Sequence, residues 1–281
     1  MCEFCHRHGE GKTWYLQAKH YGEDLLADLK RRDYMERFFV RPERHRRGVD
    51  SLQRLDRLPA VVRRLVTRTI ASRMKRRHYG QVVPLEDVER VFDFVTSIVR
   101  LACLCRHVTV GPEKRYCYAV ALVPKGGERI RILREIDAKY ILGPETAGLE
   151  TLDKEAALAL FREHENEGLC HTAWTFETPF IGGFCNCDRS DCLAMQSTFW
   201  HQVPLILRAE YVAEVSPALC GGCRECLRLC QFGALRFSAA VKKVAVDPRL
   251  CYGCGVCRAG CSRKAIRLVG RATVPAAAGL W

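Results

Sequence analysis

From Ser51 to Arg77 the apolar residues Leu52, Leu55, Leu58, Val62, Leu65, Val66, Thr69 and Ile70 recur at helical spacing, with Arg54, Arg57, Arg63, Arg64 and Arg68 between them. Pro59 starts a new helix there or kinks the first one, because it lacks a backbone donor and fixes φ. A second amphipathic helix is predicted from Leu85 to Arg100, with Val88, Val91, Phe92, Val95 and Val99 on one face, delivering the chain to Cys103 and Cys105. Tyr116 to Val123 alternates as a strand. Lys125-Gly126-Gly127 then turns the chain, and Arg129 to Leu133 reads as the returning arm of a hairpin. Asp153 caps a predicted helix through Glu165 that Gly168 ends, with Glu145, Glu150 and Glu155 at its entrance. Two short strands are expected at Ala234 to Phe237 and Lys242 to Asp247. The fold class is α+β, in four parts: a basic, mainly helical region over 1–83, an α+β domain with a cysteine-rich loop over 84–215, a small module over 216–269 and a tail over 270–281. Pro217 marks the boundary before the module.

Hydrophobic residues make up 48% of the 281-residue chain, which is ample for a core. No run approaches the roughly 18 apolar residues that span a bilayer, and MCEFCHRHGE lacks a signal peptide's apolar stretch, so a cytoplasmic protein away from membranes is expected. In that reducing compartment, seventeen cysteines point to metal ligands rather than disulfides. The formal charge of +13 is concentrated from Arg41 to Arg77, where thirteen Arg and Lys face only Glu43, Asp50 and Asp56. Such a patch steers an acidic partner or a polyanion.

Cys220, Cys223, Cys226 and Cys230, then Cys251, Cys254, Cys257 and Cys261, repeat one frame, C-x2-C-x2-C-x3-C. Two intervening residues let neighbouring thiolates reach different corners of an iron–sulfur cluster. Zinc ribbons use two separated pairs instead. Gly221, Gly222, Gly253 and Gly255 let the backbone wrap tightly and aim N–H groups at sulfur. From Ser216 to Val269 the sequence resembles the two-cluster bacterial ferredoxins. That resemblance implies two 4Fe-4S clusters, one on Cys220, Cys223, Cys226 and Cys261, the other on Cys251, Cys254, Cys257 and Cys230, in a ferredoxin-like module with two pseudo-symmetric halves. Each cluster carries about −2 with its thiolates, leaving a net charge of about +9. The family's proline after the fourth cysteine is replaced by Gln231 and by Ser262, a difference expected to tune hydrogen bonding rather than remove a ligand.

Cys185, Cys187 and Cys192 in GGFCNCDRSDC form a further candidate metal site on a glycine-rich loop, completed by Cys103, Cys105 or Cys117. A third iron–sulfur cluster and zinc both suit these thiols, while free cysteine packed as a small hydrophobe is the plainer alternative. The elements VVPLEDVERVFDFVTSIVRLACLCR, Cys117, NEGLCHTAW and GFCNCD resemble a group of uncharacterised cytoplasmic iron–sulfur proteins that join CxCR and CNC elements to a ferredoxin module. That likeness covers Pro84 to Cys261 and implies electron transfer; the group's loop is often richer in cysteine. Cys2, Cys5 and His6 match the spacing of covalent haem attachment, which the expected compartment excludes; a metal site with His6 or His8 and an unliganded thiol pair remain. His171 reads first as a packed histidine and second as a ligand or proton donor. Trp14, Tyr15, Trp174 and Trp200 read as core or interface.

No P-loop, dinucleotide fingerprint or G-x-S-x-G elbow is present, and no catalytic residue is assigned. The leading expectation is an electron-transfer protein or subunit that relays electrons through two 4Fe-4S clusters, with a third metal site, to an acidic redox partner. The alternative is a reductase with an incompletely ligated cluster that binds substrate. A redox-responsive nucleic-acid binder ranks last, resting on the arginine-rich segment alone.

Overall fold

The computed structural model describes residues 13–111, 115–142 and 149–280. Among them, β1 (Gly80–Val82), β2 (Ser97–Leu101), β3 (Cys117–Ala121), β4 (Glu150–Leu152), β5 (Cys170–Thr175), β6 (Ile181–Cys187) and β7 (Ile206–Leu207) make one sheet. Its spatial order is β4-β2-β3-β6-β5-β1-β7, antiparallel throughout except where β1 meets β7. The helices are α1 (Leu29–Val40), α2 (Glu43–Leu52), α3 (Ala60–Met74), α4 (Leu85–Phe94), α5 (Leu104–Thr109), α6 (Gly127–Glu135), α7 (Lys154–Asn166), α8 (Leu193–Phe199) and α9 (Glu225–Arg228). Two ribbons follow, β8 (Tyr211–Val215) with β11 (Ile266–Gly270) and β9 (Leu235–Ser238) with β10 (Lys243–Val246).

Alternation along the strands sorts side chains between two cores. Ile98, Tyr118, Val120 and Phe184 join Trp14, Tyr15 and the inner faces of α4 and α7. Val99, Leu101, Ala119 and Cys117 point the other way, among residues of α1, α2, α5, α6 and α8. Because helices cover both faces, β2 and β3 are apolar on both sides, which blurs the period-2 signal.

Several expectations from sequence change here. The predicted helix through Arg100 stops at Phe94, with the Val95 N–H still bonded to Val91 O, and Ser97–Leu101 is strand β2. β-branched Ile98 and Val99 suit that buried strand better than a helix end. The predicted return strand Arg129–Leu133 is helix α6, since β2 and β6 already occupy both edges of β3. Within Ser51–Arg77 the break at Pro59 holds, yet α3 buries only Thr67 and Ala71, leaving Leu65 68% exposed. The helix capped by Asp153 is α7, where the carboxylate accepts from Ala156 N–H at 2.7 Å. The division at 83/84 is crossed by the sheet, because β1 pairs with β5 and β7, and β8 belongs with the module through β11. Trp14, Tyr15 and Trp174 are buried, whereas Trp200 is half exposed.

Asp87 on α4 fastens these parts together. Its carboxylate is fully buried and accepts from Tyr15 OH at 2.7 Å, Tyr211 OH at 3.1 Å and Arg90 Nη1 at 3.1 Å. Asp87→Ala leaves two hydroxyls without an acceptor and is expected to cost about 3 kcal/mol. Urea unfolding of the metal-loaded protein reads this as a lower midpoint at unchanged slope; an unmoved midpoint would show the joint to be energetically idle.

Candidate metal centres

The eight cysteines of the repeated frame fall around two cavities. Cys220, Cys223, Cys226 and Cys261 line one of about 110 Å³, and Cys230, Cys251, Cys254 and Cys257 line another of about 20 Å³. Each cavity draws three thiols from one half of the repeat and one from the other. Backbone N–H groups already point at sulfur: Ala234 to Cys230 at 3.3 Å, Ala213 to Cys251 at 3.3 Å and Ala265 to Cys261 at 3.2 Å. Donors of this kind stabilise thiolate, the form that binds iron. A backbone bond from Val244, ahead of other influences, holds the Cys220 thiol below its usual range. Burial pushes Cys226 up to about 11 and Cys257 further, so metal binding there must displace a proton. Arg208 Nη1 and Arg271 Nη2 donate to Cys251 O at 3.1 and 3.0 Å, bringing positive charge to the second group. These cavities and donors suit 4Fe-4S clusters.

A second thiol assembly occupies the large domain. Cys185 and Cys187, two apart on β6, project to one face; Cys117 on β3 stands opposite Cys185, their Sγ atoms 3.1 Å apart. Cys103 caps α5, Cys105 lies in its first turn, and Cys192 caps α8. Thiol contacts run from Cys103 to Cys105, Cys192, Cys187, Cys185 and Cys117, then back to Cys103, closing a ring. Neighbouring thiols hold Cys103 and Cys192 well below the usual range, Cys105 foremost in both cases. Hydrogen bonding to Cys103 pushes Cys105 and Cys117 up, and bonding to Cys117 pushes Cys185 up. All six line a cavity of about 100 Å³ that continues past Phe38, His78, Trp174 and Phe176.

The sequence thus named the six members but misplaced two of their settings. Cys185 and Cys187 lie on a central strand rather than a loop, and Cys103 and Cys105 open a helix rather than end one. Gly182 and Gly183 serve close packing: a Cβ at Gly183 would stand 2.1 Å from Tyr118 O. Cys2, Cys5, His6 and His8 lie outside the described residues.

Arg106 is the ring's buried cation, 3% exposed. It pairs with Asp188, lies 3.4 Å from Asp191, donates to Asn186 O at 3.0 Å and stacks on Tyr116 at 4.1 Å. Burial pulls its proton affinity down, but the Cys103 thiolate and Asp188, with the other ring thiols, outweigh that and hold it above the usual range. His171 is a packed histidine: its Nδ1 donates to Asn186 Oδ1 at 2.5 Å, and Asn186 Nδ2 donates to Tyr116 O.

No three His, Cys, Asp or Glu side chains among the described residues converge as the ligands of a single ion do, in the ring or in the repeated frame. Ligands of a cluster each bind a different iron and need not share one point.

Cys170, unassigned from sequence, links the two assemblies. It is fully buried on β5 opposite Cys187, and it contacts Cys254. Burial, then that contact, pushes its thiol up, while hydrogen bonding from Cys170 lowers Cys254. Phe232 and Tyr252 stack beside it, 4.3 Å between centroids. Gln231 also acquires a purpose. Its amide donates to Gly168 O at 2.9 Å and accepts from Arg189 N–H at 3.3 Å, contacts that a proline could not make.

Residues 219–265 match the family model of a 4Fe-4S dicluster domain, so this part of the chain is an iron–sulfur, ferredoxin-type domain. A comparison with curated proteins gives no match. No described helix is long and apolar enough to cross a membrane.

Proposed function

We propose that the protein relays electrons through three iron–sulfur clusters, two in the ferredoxin-type domain and one in the six-thiol ring. When bound, such clusters take up and release single electrons. Cys220, Cys223, Cys226 and Cys261 would hold one, Cys230, Cys251, Cys254 and Cys257 the second, and four of the ring thiols the third. The observation that carries this reading is the buried contact of Cys170 with Cys254, on the strand that pairs with Cys187. It removes water between the centres and joins them through packed side chains. Arg106 near the ring, and Arg208 and Arg271 near Cys251, stabilise the extra negative charge of a reduced centre. Ring thiols in excess of the four a cubane needs favour full thiolate ligation over an open iron that binds substrate. The partner is a redox protein with an acidic face, in a reducing cytoplasm, because the large domain offers an arginine-rich surface.

Anaerobic reductive titration tests the relay. Uptake of about three electrons per chain is expected, one per cluster, with electron paramagnetic resonance signals broadened by neighbouring spins. Uptake of about two, with no signal affected by the ring, would confine electron transfer to the ferredoxin-type domain.

A further inference from the structure

Arg41, Arg44 and Arg47 surround an open concavity of about 630 Å³ together with Gly48. All three arginines are exposed, and none forms an ion pair with a described residue, whereas neighbouring Arg46 is held by Asp50 at 3.0 Å. Gly48 lies inside α2, where glycine weakens a helix, yet a Cβ there would meet nothing within 4 Å. Packing within the chain therefore gives no reason for glycine, and its backbone is left open to an approaching surface.

The opposite face of α2 looks towards the ring. Val49 is buried with Leu104 and Leu193, in the core that Cys105 and Cys117 border. α2 lies directly on α5 and α8, the helices capped by Cys103 and Cys192. His45 meets Phe38 O at 2.8 Å, and Phe38 lines the ring's cavity. At the end of α8, Trp200 is half exposed. Exposed arginines without an ion-pair partner among the described residues are of the kind enriched at protein-binding hot spots.

We propose that this concavity docks the acidic face of an electron-donor protein, and that electrons enter at the six-thiol ring rather than at the ferredoxin-type clusters. The proposal rests on the relay reading, extending it to a partner and a direction. Charge complementarity selects the occupant: carboxylates satisfy Arg41, Arg44 and Arg47, and α2 alone then separates the partner from the helices that carry Cys103, Cys105 and Cys192.

Stopped-flow reduction of the cluster-loaded protein by flavodoxin hydroquinone, a small acidic flavoprotein, supplies the test. The anionic flavin hydroquinone gives up one electron to become the neutral semiquinone, and one oxidised cluster takes that electron. Arg41→Glu/Arg44→Glu/Arg47→Glu is expected to slow this reaction about tenfold at low salt and to abolish its slowing by added salt. Reduction by a photoreduced deazaflavin, which needs no docking, stays unchanged; its failure to reduce a third centre would indict the relay instead. The same charge reversal at exposed Arg236, Lys242 and Lys264 of the ferredoxin-type domain leaves the flavodoxin rate within about twofold. Equal slowing by both variants, or a wild type that flavodoxin does not reduce, overturns the proposal. So does an unchanged flavodoxin rate when the triple variant loses binding to a duplex DNA 20-mer, which would make the concavity a polyphosphate site.

Discussion

Replacing Cys117, Cys185 and Cys187 by serine is expected to lower the iron of anaerobically purified protein from about twelve to about eight per chain, with acid-labile sulfide falling in step. These three are the thiols that β3 and β6 contribute to the ring. Only Cys103, Cys105 and Cys192 remain, one fewer than a fully thiolate-bound cubane requires. Changing just two members would leave four thiols and an ambiguous result. The paired strands β3 and β6 are held by backbone bonds and by apolar neighbours such as Tyr118 and Phe184, so the sheet survives the exchange of sulfur for oxygen. Retained signals from the ferredoxin-type clusters serve as the internal control for folding. About eight irons in both proteins would refute a third cluster; one zinc per chain, lost in the variant, would make the ring a zinc site.

How much of this was legible beforehand depends on where each signal resides. The repeated C-x2-C-x2-C-x3-C frame is local: spacing alone brings three thiols to one centre, and the crossing of Cys230 and Cys261 followed from resemblance to ferredoxins. The ring is different. Its members come from four separate elements, and only the pairing of β3 with β6 and the placement of α5 and α8 bring Cys117, Cys103, Cys105 and Cys192 to Cys185 and Cys187. Cysteine count and the CNC spacing nominated these residues, but composition held no signal for the closure. Cys170 carried even less, since a single cysteine on an apolar strand reads as an ordinary small hydrophobe. The helix expected through Arg100 failed for a definite cause. Val95 and Val99 lie at helical spacing from Val88, yet both faces of β2 are buried, so apolar residues fall at every period and a helix fits them as well as a strand does. Leu65 and Val62 failed in the opposite sense: their periodicity describes a face that this chain leaves to solvent, and periodicity cannot say whether a partner from within the chain exists.

Removing the guanidinium of Arg106 is the second large effect. Asp188 is 13% exposed beside it, and a neutral Arg106→Met leaves that carboxylate, and Asp191, next to a ring that carries negative charge once its thiols are metal-bound. Breaking such a buried pair from one side typically costs about 3–5 kcal/mol, because the surviving charge is uncompensated. Asn186 O loses its donor too, and that carbonyl belongs to the residue between Cys185 and Cys187. The expected outcome is a melting point lowered by about ten degrees, with the ring cluster lost before the ferredoxin-type clusters on mild heating or chelation. Arg106→Lys should fall between, since an ammonium keeps the charge but cannot span Asp188, Asp191 and Asn186 O at once. Adding Asp188→Leu to Arg106→Met removes the stranded carboxylate and should recover part of the loss, a coupling that a thermal double-mutant cycle reads directly. Additive effects in the cycle would mean that Arg106 acts through Tyr116 and packing instead, and that the charge beside the ring plays no part in holding its cluster.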